Sequence, residues 1–556
     1  VIFVDLRDAS GVVQVVLNPD NDPASAEVLR SLRNEYCITV VGVVRKRETG
    51  KENPEMATGD IEVGVSRLDV LSPAEVMPFQ IDERFDADES RRLKYRYLDL
   101  RRPKMAKNLR ARSTAIRAMR RVLDDLDFLE VETPTLVVST PEGARDMLVP
   151  SRLRPGQFYA LPQSPQLFKQ LLMVGGVERY YQVARCYRDE DFRSDRQVEF
   201  TQLDLEGSFW DQGDVLDTLE AIVARVVKDV RGGDIARPIP RMTYAEAMAR
   251  YGTDKPDVRF GMEIVDLGDV FSGSDFRAFA GAIADGGAVR GINAGDQGLS
   301  RAGLDKLVAA AQDLGAKGLV WMVVEDDGSL RSPVTKFLSD EELTAVADAL
   351  KAQPGDALLI VADEVKVVSE VLGQLRLQLG QPANHDELAF LFVVDFPVFE
   401  RTVEGEFVPA HHPFTAPRSV AEMRDAPETA ISRSYDMVLN GAELGSGSVR
   451  IHDPGLQSQV FEILGIAPED AEARFGWFLE ALRYGTPPHA GFAIGVDRLV
   501  SILQNEQNIR EVMPFPKTQT GADPLTGAPT RVEETQLAEL GIDVRPEVRA
   551  AWSEPR

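Results

Sequence analysis

The sequence predicts a multidomain α+β protein, with a five-stranded N-terminal β-barrel, a larger helix-and-strand domain, and a further α+β domain inserted into that larger one. Three observations carry this. Residues 1–72 fall into short apolar/polar alternations broken by Gly, Asp and Asn. Residues 256–386 shift to a Gly-, Ala- and Asp-rich texture, and motif-bearing sequence resumes on their far side at LAFLFVVDFPVF. The chain, at 556 residues, also exceeds what one core holds, since single cores seldom grow past about 250–300 residues.

In chain order, VIFVDLRD, VVQVVLN, YCITVVGVVRKR and IEVGVSRLDVL alternate with the period of half-buried strands. Small barrels of this kind often bind single-stranded nucleic acid. The chain opens on Val1 inside the first strand pattern, so one strand of the barrel is expected in a missing N-terminal piece. Pro73 and Pro78 mark a hinge over 73–101. A helix follows over 106–127, with Ile116, Met119, Leu123 and Leu126 at helical spacing. DFLEVETPTLVV reads as a strand interrupted by Pro134, and a proline inside a strand belongs at an edge, where it can pair across a dimer. Within 256–386, GLVWMVV and ALLIVA read as strands and LDKLVAAAQDL as a helix. The remaining boundaries are 102–255 and 387–515 for the two parts of the split domain, and 516–556 for a C-terminal extension.

Composition narrows the class. Hydrophobic residues at 44% and charged residues at 27% describe a globular chain rather than a disordered or fibrous one. No apolar run nears the roughly 20 residues that span a bilayer, and no leader pattern precedes the first strand. A cytoplasmic protein with no membrane partner is the expectation. Cys37 and Cys186 have no CxxC partners, which argues against structural zinc or a disulfide framework. The net charge of −26 opposes nucleic-acid binding. Residues 91–121 nevertheless carry thirteen Lys or Arg against Asp99 alone, either a backbone-binding seam or a face balanced by acids elsewhere.

The densest polar segment is RYYQVARCYRDEDFRSDRQVEFTQLDLEGSF, residues 179–209. Two strand-like runs flank a charged loop, and mixed charges in a hairpin loop ordinarily mean a solvated turn. Here Arg188 closes one strand while Phe200, Gln202 and Asp204 alternate along the next, so these side chains share one sheet face. The segment resembles motif 2 of the class II aminoacyl-tRNA synthetases. DFLEVETPTL resembles their motif 1, with Pro134 its proline, and GFAIGVDRL (491–499) their motif 3. RYLDLR at 96–101 resembles the junction of the subgroup that charges aspartate, asparagine and lysine. The resemblance implies an OB-type anticodon-binding barrel, a catalytic domain with an antiparallel sheet flanked by helices, and a homodimer joined near Pro134.

Within that subgroup, TPEGARD (140–146), QSPQLFKQ (163–170), HHPFT (411–415) and GSVRIH (447–452) resemble the bacterial aspartyl enzymes. So does the insertion of about 130 residues between motifs 2 and 3. An aspartate pocket must satisfy one ammonium and two carboxylates, because a charge left unpaired in a desolvated site is costly. The resemblance implies Lys169 and Arg450 for the side-chain carboxylate, Arg188 for the α-carboxylate and α-phosphate, and Glu142, Gln166 and Asp204 for the ammonium. Ser164 and His411 complete that set, His411 closing over the aminoacyl end.

For ATP the resemblance implies Arg188, Asp189, Glu190 and Gln197, with Phe200 under the adenine and Arg498 above it. Gly495, Val496 and Asp497 flank Arg498, and Glu443 and Asp436 would hold Mg2+. Arg188, Glu190 and Arg498 are the candidate catalytic residues. The implied reaction is attack of the aspartate α-carboxylate on the α-phosphorus, then transfer to tRNA(Asp), with tRNA(Asn) open as a second acceptor through the stretch 45–55 around Gly50. Gly50 reads equally as a plain hairpin turn. Two other readings stand beside this one: a class II ligase that works without tRNA, and an inactive RNA-binding paralogue. Ser446 and Val198 depart from the family pattern, where glycine and proline are usual. Ser446 would be strained if its backbone required a positive φ.

Overall fold

The computed structural model describes residues 1–18, 31–140 and 143–551, and the chain divides into two units, Val1–Arg102 and Pro103–Arg556. In the first, the alternating runs form β1 (Ile2–Arg7), β2 (Val12–Leu17), β3 (Cys37–Lys46) and β4 (Ile61–Ser72). These make one sheet in the order β1-β2-β4-β3, antiparallel except where β2 meets β4. Four strands thus stand among the described residues where the barrel pattern predicts five. Val15 and Leu17, two residues apart on one face, are buried with Leu68 at its centre. Gly50 lies in an exposed turn between β3 and β4 at φ +85, with open space where a side chain would sit. Turn geometry alone accounts for that glycine. Farther on, Arg92 and Arg96 both reach the fully buried Asp99 carboxylate, at 2.8 and 2.6 Å.

The second unit opens with the helix Pro103–Asp125, which buries Met105, Ala111, Ala115, Ala118, Met119 and Leu123 along one stripe. Leu126, expected in that stripe, lies beyond the helix end and is exposed, because Asp127 at φ +58 turns the chain away. Much of the basic block is spent on pairing: Lys104 with Glu506, Arg112 with Asp497, and Arg120 with Glu130. Balanced packing therefore accounts for these cations.

Next come β5 (Leu129–Glu130), a small hairpin of β6 (Leu148–Pro150) and β7 (Phe158–Ala160), the long hairpin β8 (Arg179–Tyr187) and β9 (Glu199–Ser208), and β10 (Arg241–Thr243). Residues 265–363 build a separate five-stranded sheet from β11 (Val265–Asp266), β12 (Ala288–Asn293), β13 (Val320–Val324), β14 (Leu330–Arg331) and β15 (Ala357–Asp363). That sheet has apolar clusters of its own on both faces, around Leu359 and Val361 and around Leu358 and Ile360. The chain returns through β16 (Phe390–Val394), the hairpin β17 (Phe399–Arg401) and β18 (Phe407–Pro409), then β19 (Ser434–Leu439), β20 (Ala442–Val449) and β21 (His489–Gly495).

The main sheet has eight strands in the order β10-β16-β19-β20-β21-β9-β8-β5. Its inner pairings are antiparallel as expected, but both edge strands pair parallel, β10 on β16 and β5 on β8. Each edge pair is joined by a long crossover rather than a turn, which is what parallel pairing requires. The strand expected through Pro134 is only Leu129–Glu130. Beyond it the Thr133 N–H and hydroxyl donate to Gln182 Oε1 instead of a ladder, and Pro134 has no N–H to offer. Pro134 is exposed beside this edge. No described helix is long and apolar enough to cross a membrane.

Candidate active site

The centre of the main sheet carries a buried four-charge cluster. Lys169 projects from the helix Gln166–Val174, Asp204 and Glu206 from one face of β9, and Arg450 from the residue after β20. All four side chains are 4% exposed or less. Lys169 Nζ donates to Asp204 Oδ2 at 2.9 Å and to the Leu205 carbonyl at 3.3 Å, and lies 3.1 Å from Glu206 Oε2. Arg450 offers one edge of its fork to Glu206, Nε to Oε1 at 2.9 Å and Nη2 to Oε2 at 3.2 Å, and donates from Nη1 to Ser448 Oγ at 2.8 Å. A bidentate fork of this kind fixes orientation as well as charge.

Close strand approach makes room for it. Gly491 on β21 faces Glu206 across the sheet, and a Cβ there would sit 1.9 Å from Glu206 Oε2. Gly445 and Gly447 on β20 are equally constrained, with a Cβ falling 1.9 Å from the Ala493 carbonyl and 2.2 Å from the Gly491 carbonyl. Ser446 between them sits in regular β20 backbone without a positive φ, so the strain considered for it is absent.

The two buried carboxylates differ in protonation. Burial would raise Glu206, but Arg450 and Lys169 outweigh it and hold its pKa down at about 2. Burial raises Asp204 to about 6, beyond what Lys169 offsets, with Glu206 adding to the rise. Asp204 Oδ1 has no hydrogen-bond partner, and neither has the buried Nε of Arg188. Both unpaired groups belong to a cavity of about 350 Å3 whose lining includes Ser164, Gln166, Lys169, Arg188, Glu190, Asp204, His411 and Arg450. A buried unpaired acceptor and a buried unpaired donor on two residues that line one cavity are what a zwitterionic ligand would satisfy.

Above the floor, the Arg188 guanidinium lies 5.0 Å from the centre of the Phe200 ring. Arg188 N–H donates to the Val198 carbonyl at 2.9 Å, closing the base of the loop that carries Glu190. Glu190 pairs with Arg196 at 3.3 Å, and Asp189, half exposed, with Arg145 at 3.4 Å. On the far wall His411 Nε2 lies 3.0 Å from Asp436 Oδ1, and its ring packs edge-on against Phe396. Burial opposes a charged His411, yet Asp436 raises its pKa above the ordinary value. Asp436 itself is raised to about 6 by burial, against the pull of His411 and with the push of Glu443. Arg498 donates to the Glu443 carbonyl and to Asp195 Oδ2 at 3.1 Å.

Several expected contacts fall elsewhere. Gln197 does not line the cavity: its amide donates to the Lys517 carbonyl and accepts from the Lys517 N–H. Asp497 turns inward, accepting from the Thr201 N–H at 2.7 Å and from Arg112. Val496 is wholly buried in the core, and Gly495 ends β21 opposite Gln202 and starts the helix Val496–Leu503. None of these four residues is in the lining of the described cavity. Glu142 lies outside the described residues. Glu206 escaped the sequence reading although it continues the alternation Phe200, Gln202, Asp204 by one more step. Gln170 escaped it too; its amide is 3.0 Å from His489 Nε2, whose pKa burial lowers.

The comparisons agree with this geometry. Residues 88–519 match the family model of the class II tRNA synthetases (D, K and N), and residues 1–71 match that of the OB-fold nucleic acid binding domain. The chain belongs to the class II tRNA synthetases of this family. It is 52% identical to the aspartate–tRNA(Asp/Asn) ligase of Salinispora arenicola over 99% of its own length and 92% of that protein's. It is 50% identical to the aspartate–tRNA(Asp/Asn) ligase of Thermobifida fusca, over 98% and 94%. Its fold is similar to the asparaginyl-tRNA synthetase of Pyrococcus horikoshii complexed with asparaginyl-adenylate, with a TM-score of 0.56 at 20% identity, covering 93% of this chain and 91% of the other.

Proposed function

We propose that this protein is an aspartate–tRNA ligase, which joins L-aspartate to ATP as aspartyl-adenylate and then transfers the aspartyl group to tRNA(Asp) and to tRNA(Asn). The observation that carries the reading is the buried cluster of Lys169, Arg450, Asp204 and Glu206 under a cavity that Arg188 overhangs. With Arg188 the cluster sets three cations against two carboxylates, Glu190 being matched by Arg196, and the surplus positive charge suits a ligand of one net negative charge. Arg450, through the nitrogen that now donates to Ser448, and Lys169 would receive the substrate's side-chain carboxylate, and Asp204 Oδ1 its ammonium. Ser164 and Gln166 would complete the lining, and Arg188 would hold the α-carboxylate against the α-phosphate.

The α-carboxylate is already ionised near neutral pH, so attack needs no general base. One of its oxygens bonds to the α-phosphorus while pyrophosphate leaves. The terminal ribose hydroxyl of the tRNA then attacks the carbonyl carbon, its proton passing to the phosphate, and AMP leaves. The chain's contribution is orientation and positive charge where negative charge develops, from Arg188 at the α-phosphate and Arg498 at the γ-phosphate, with Glu190 toward the adenosine end. Mg2+, a hard cation suited to carboxylate oxygen, would neutralise the phosphates from Glu443 and Asp436. The mutual repulsion of those two carboxylates, part of the rise at Asp436, fits a site that a cation relieves.

A homodimer through the β5 edge is supported by exposed Leu129, Leu136 and Val138 around Pro134, and by Leu148 and Phe158 on the neighbouring hairpin. The Asp/Asn pair of acceptors in the relatives' names supports the dual acceptor here. The test is aspartate-dependent ATP–pyrophosphate exchange followed by acylation of separately purified tRNA(Asp) and tRNA(Asn). Exchange without stable acylation would point to a tRNA-free ligase, and no exchange would remove the reading. A rate on tRNA(Asn) several orders below that on tRNA(Asp) would restrict it to one acceptor.

A further inference from the structure

The loop 188–198 connects β8 and β9 and carries Glu190, and its outer side is held by chain beyond the helix Val496–Leu503. The Ile509 N–H donates to the Ser194 carbonyl at 3.0 Å. Lys517 N–H donates to Gln197 Oε1 at 2.9 Å while Gln197 Nε2 donates to the Lys517 carbonyl at 3.2 Å, so one side-chain amide pairs with one residue's peptide groups as a neighbouring strand would. Gln197 is only 2% exposed, and burying that amide unpaired would be costly. Lys517 Nζ lies 2.9 Å from Glu199 Oε1, and the same carboxylate accepts from Arg185 Nη2 at 2.6 Å. Gly521, at φ +79, lies against Phe192 of the loop, where a Cβ would come within 3.1 Å of the ring.

We propose that Lys517 is a positioning residue for nucleotide binding: through Gln197 and Glu199 it sets the placement of the loop 188–198, and hence of Arg188 and Glu190, against ATP. This rests on the reading of the cavity as an aspartate and ATP site. The physical argument is about precision. Glu190 sits seven residues before Gln197 on a loop whose base is closed by one backbone bond, from Arg188 to Val198. Asp189 N–H donates to the Arg145 carbonyl and Ile509 N–H to the Ser194 carbonyl, but without an anchor at the Gln197 end the Glu190 carboxylate would sample more placements, and a small misplacement of a contacting group costs much of its effect. Lys517 supplies that anchor twice, through its peptide groups and through its ammonium, from a segment about 320 residues away in sequence. The segment after residue 515 is on this account a working part of the nucleotide site.

Lys517→Met keeps the aliphatic stem and the peptide bonds to Gln197 while removing the tie to Glu199. In the full-length protein the ATP KM for pyrophosphate exchange should rise about tenfold, with the aspartate KM within about twofold of its starting value. Trypsin should cut after Arg193 or Arg196 faster in the variant, and Lys517→Arg should restore both readouts. Glu199→Gln, which keeps the side-chain shape, should reproduce the ATP effect if Lys517→Met folds poorly. An unchanged ATP KM in either folded variant overturns the proposal. So does a parallel rise of both KM values with a lower Tm, the signature of a purely structural role. Absence of aspartate-dependent exchange in the unmodified protein would strike the functional reading itself, whereas normal exchange with indifferent variants strikes only this inference.

Discussion

Arg450 and Arg376 are among the arginines almost wholly withdrawn from solvent, and the chain treats these two in opposite ways. Arg450 is embedded in carboxylates: burial alone would lower its pKa, but Glu206 reverses that and raises it. Arg376, on the helix Val365–Leu379, has no carboxylate in contact among the described residues, and burial lowers its pKa. It lies between the rings of Tyr251 and Phe260, 4.7 and 4.2 Å from their centres, and its Nη2 donates to the carbonyls of Asp257, Phe260 and Gly261. The first guanidinium borders a cavity, with all three nitrogens donating, two to Glu206 and one to the Ser448 hydroxyl. The second ties the strip 257–261 to its own helix beside the five-stranded sheet through Nη2 alone, its buried Nε and Nη1 having no hydrogen-bond partner among the described residues. A buried cation matched by carboxylates can exchange partners with an anionic ligand; one held by carbonyls and rings, away from the cavity, has no carboxylate to exchange and serves as a clamp.

The sharpest way to break this contrast is to remove each guanidinium. Arg450→Met leaves Glu206 buried with Lys169 alone, a loss of about 3–5 kcal/mol by analogy with other halved buried pairs. Aspartate kcat/KM in pyrophosphate exchange should fall by a factor on the order of 10²–10³. Arg450→Lys should restore little, since an ammonium cannot hold Glu206 bidentately and still serve a ligand. Arg376→Met should instead cost about 1–3 kcal/mol of stability by stripping donors from three carbonyls, with exchange kinetics little changed. Thermal unfolding and exchange assays on both variants decide it. If Arg376→Met damaged aspartate use as deeply as Arg450→Met, the division between ligand site and clamp would be wrong.

The neighbouring carboxylates carry a smaller, pH-dependent effect. Glu206, depressed to about 2, contributes stability that is present above its unfolded pKa of 4.5 and lost as pH falls through the folded value. Asp204, raised to about 6, acts in the opposite sense: its contribution is present below 3.8 and lost as pH rises through 6. A substrate ammonium at Asp204 Oδ1 favours the ionised form, so aspartate binding should release about half a proton near pH 6 and almost none near pH 8. Affinity should accordingly strengthen as pH rises toward about 7. Calorimetry in buffers of different ionisation enthalpy measures the proton directly. Net uptake would move the pH-sensitive role to His411, whose pKa is raised on the opposite wall of the cavity.

How far the sequence reached follows the range of the interactions involved. The alternation of β9 put Phe200, Gln202 and Asp204 on one face, and the four barrel runs became four strands, because strand period is a local property. Glu206 was within reach of the same argument, which stopped one step short. The Gln197–Lys517 pairing was not legible, since nothing local marks a glutamine that will meet a peptide group from the far end of the chain. Asp497 misled for a related reason: in GVDR it looks like a site acid, yet its carboxylate is taken by Arg112 and the Thr201 N–H, both distant in sequence. Leu126 failed on a boundary, where the positive φ of Asp127 ended the helix before the apolar pattern did.

The smallest effect is expected at Ser446, and it tests whether the placement of Arg450 comes from the strands beside it. β20 and β21 approach so closely that Gly445 and Gly447 have no room for a Cβ, which would meet carbonyl oxygens of β21. Either glycine changed to alanine should push β20 outward, carry Arg450 with it, and weaken aspartate use. Ser446 points the other way, into the cavity lining, and its backbone is ordinary strand. Ser446→Gly therefore removes no strain. It adds only conformational freedom to the unfolded chain, a loss of about 0.5–1 kcal/mol. In a domain of this size that corresponds to roughly 1–4 °C in Tm. The KM values for aspartate and ATP should stay within about twofold, well under the tenfold that 1.4 kcal/mol represents. A stabilised variant, or one with a higher Tm and faster exchange, would mean that Ser446 is strained after all and that the glycine requirement falls on the middle position rather than on its two neighbours.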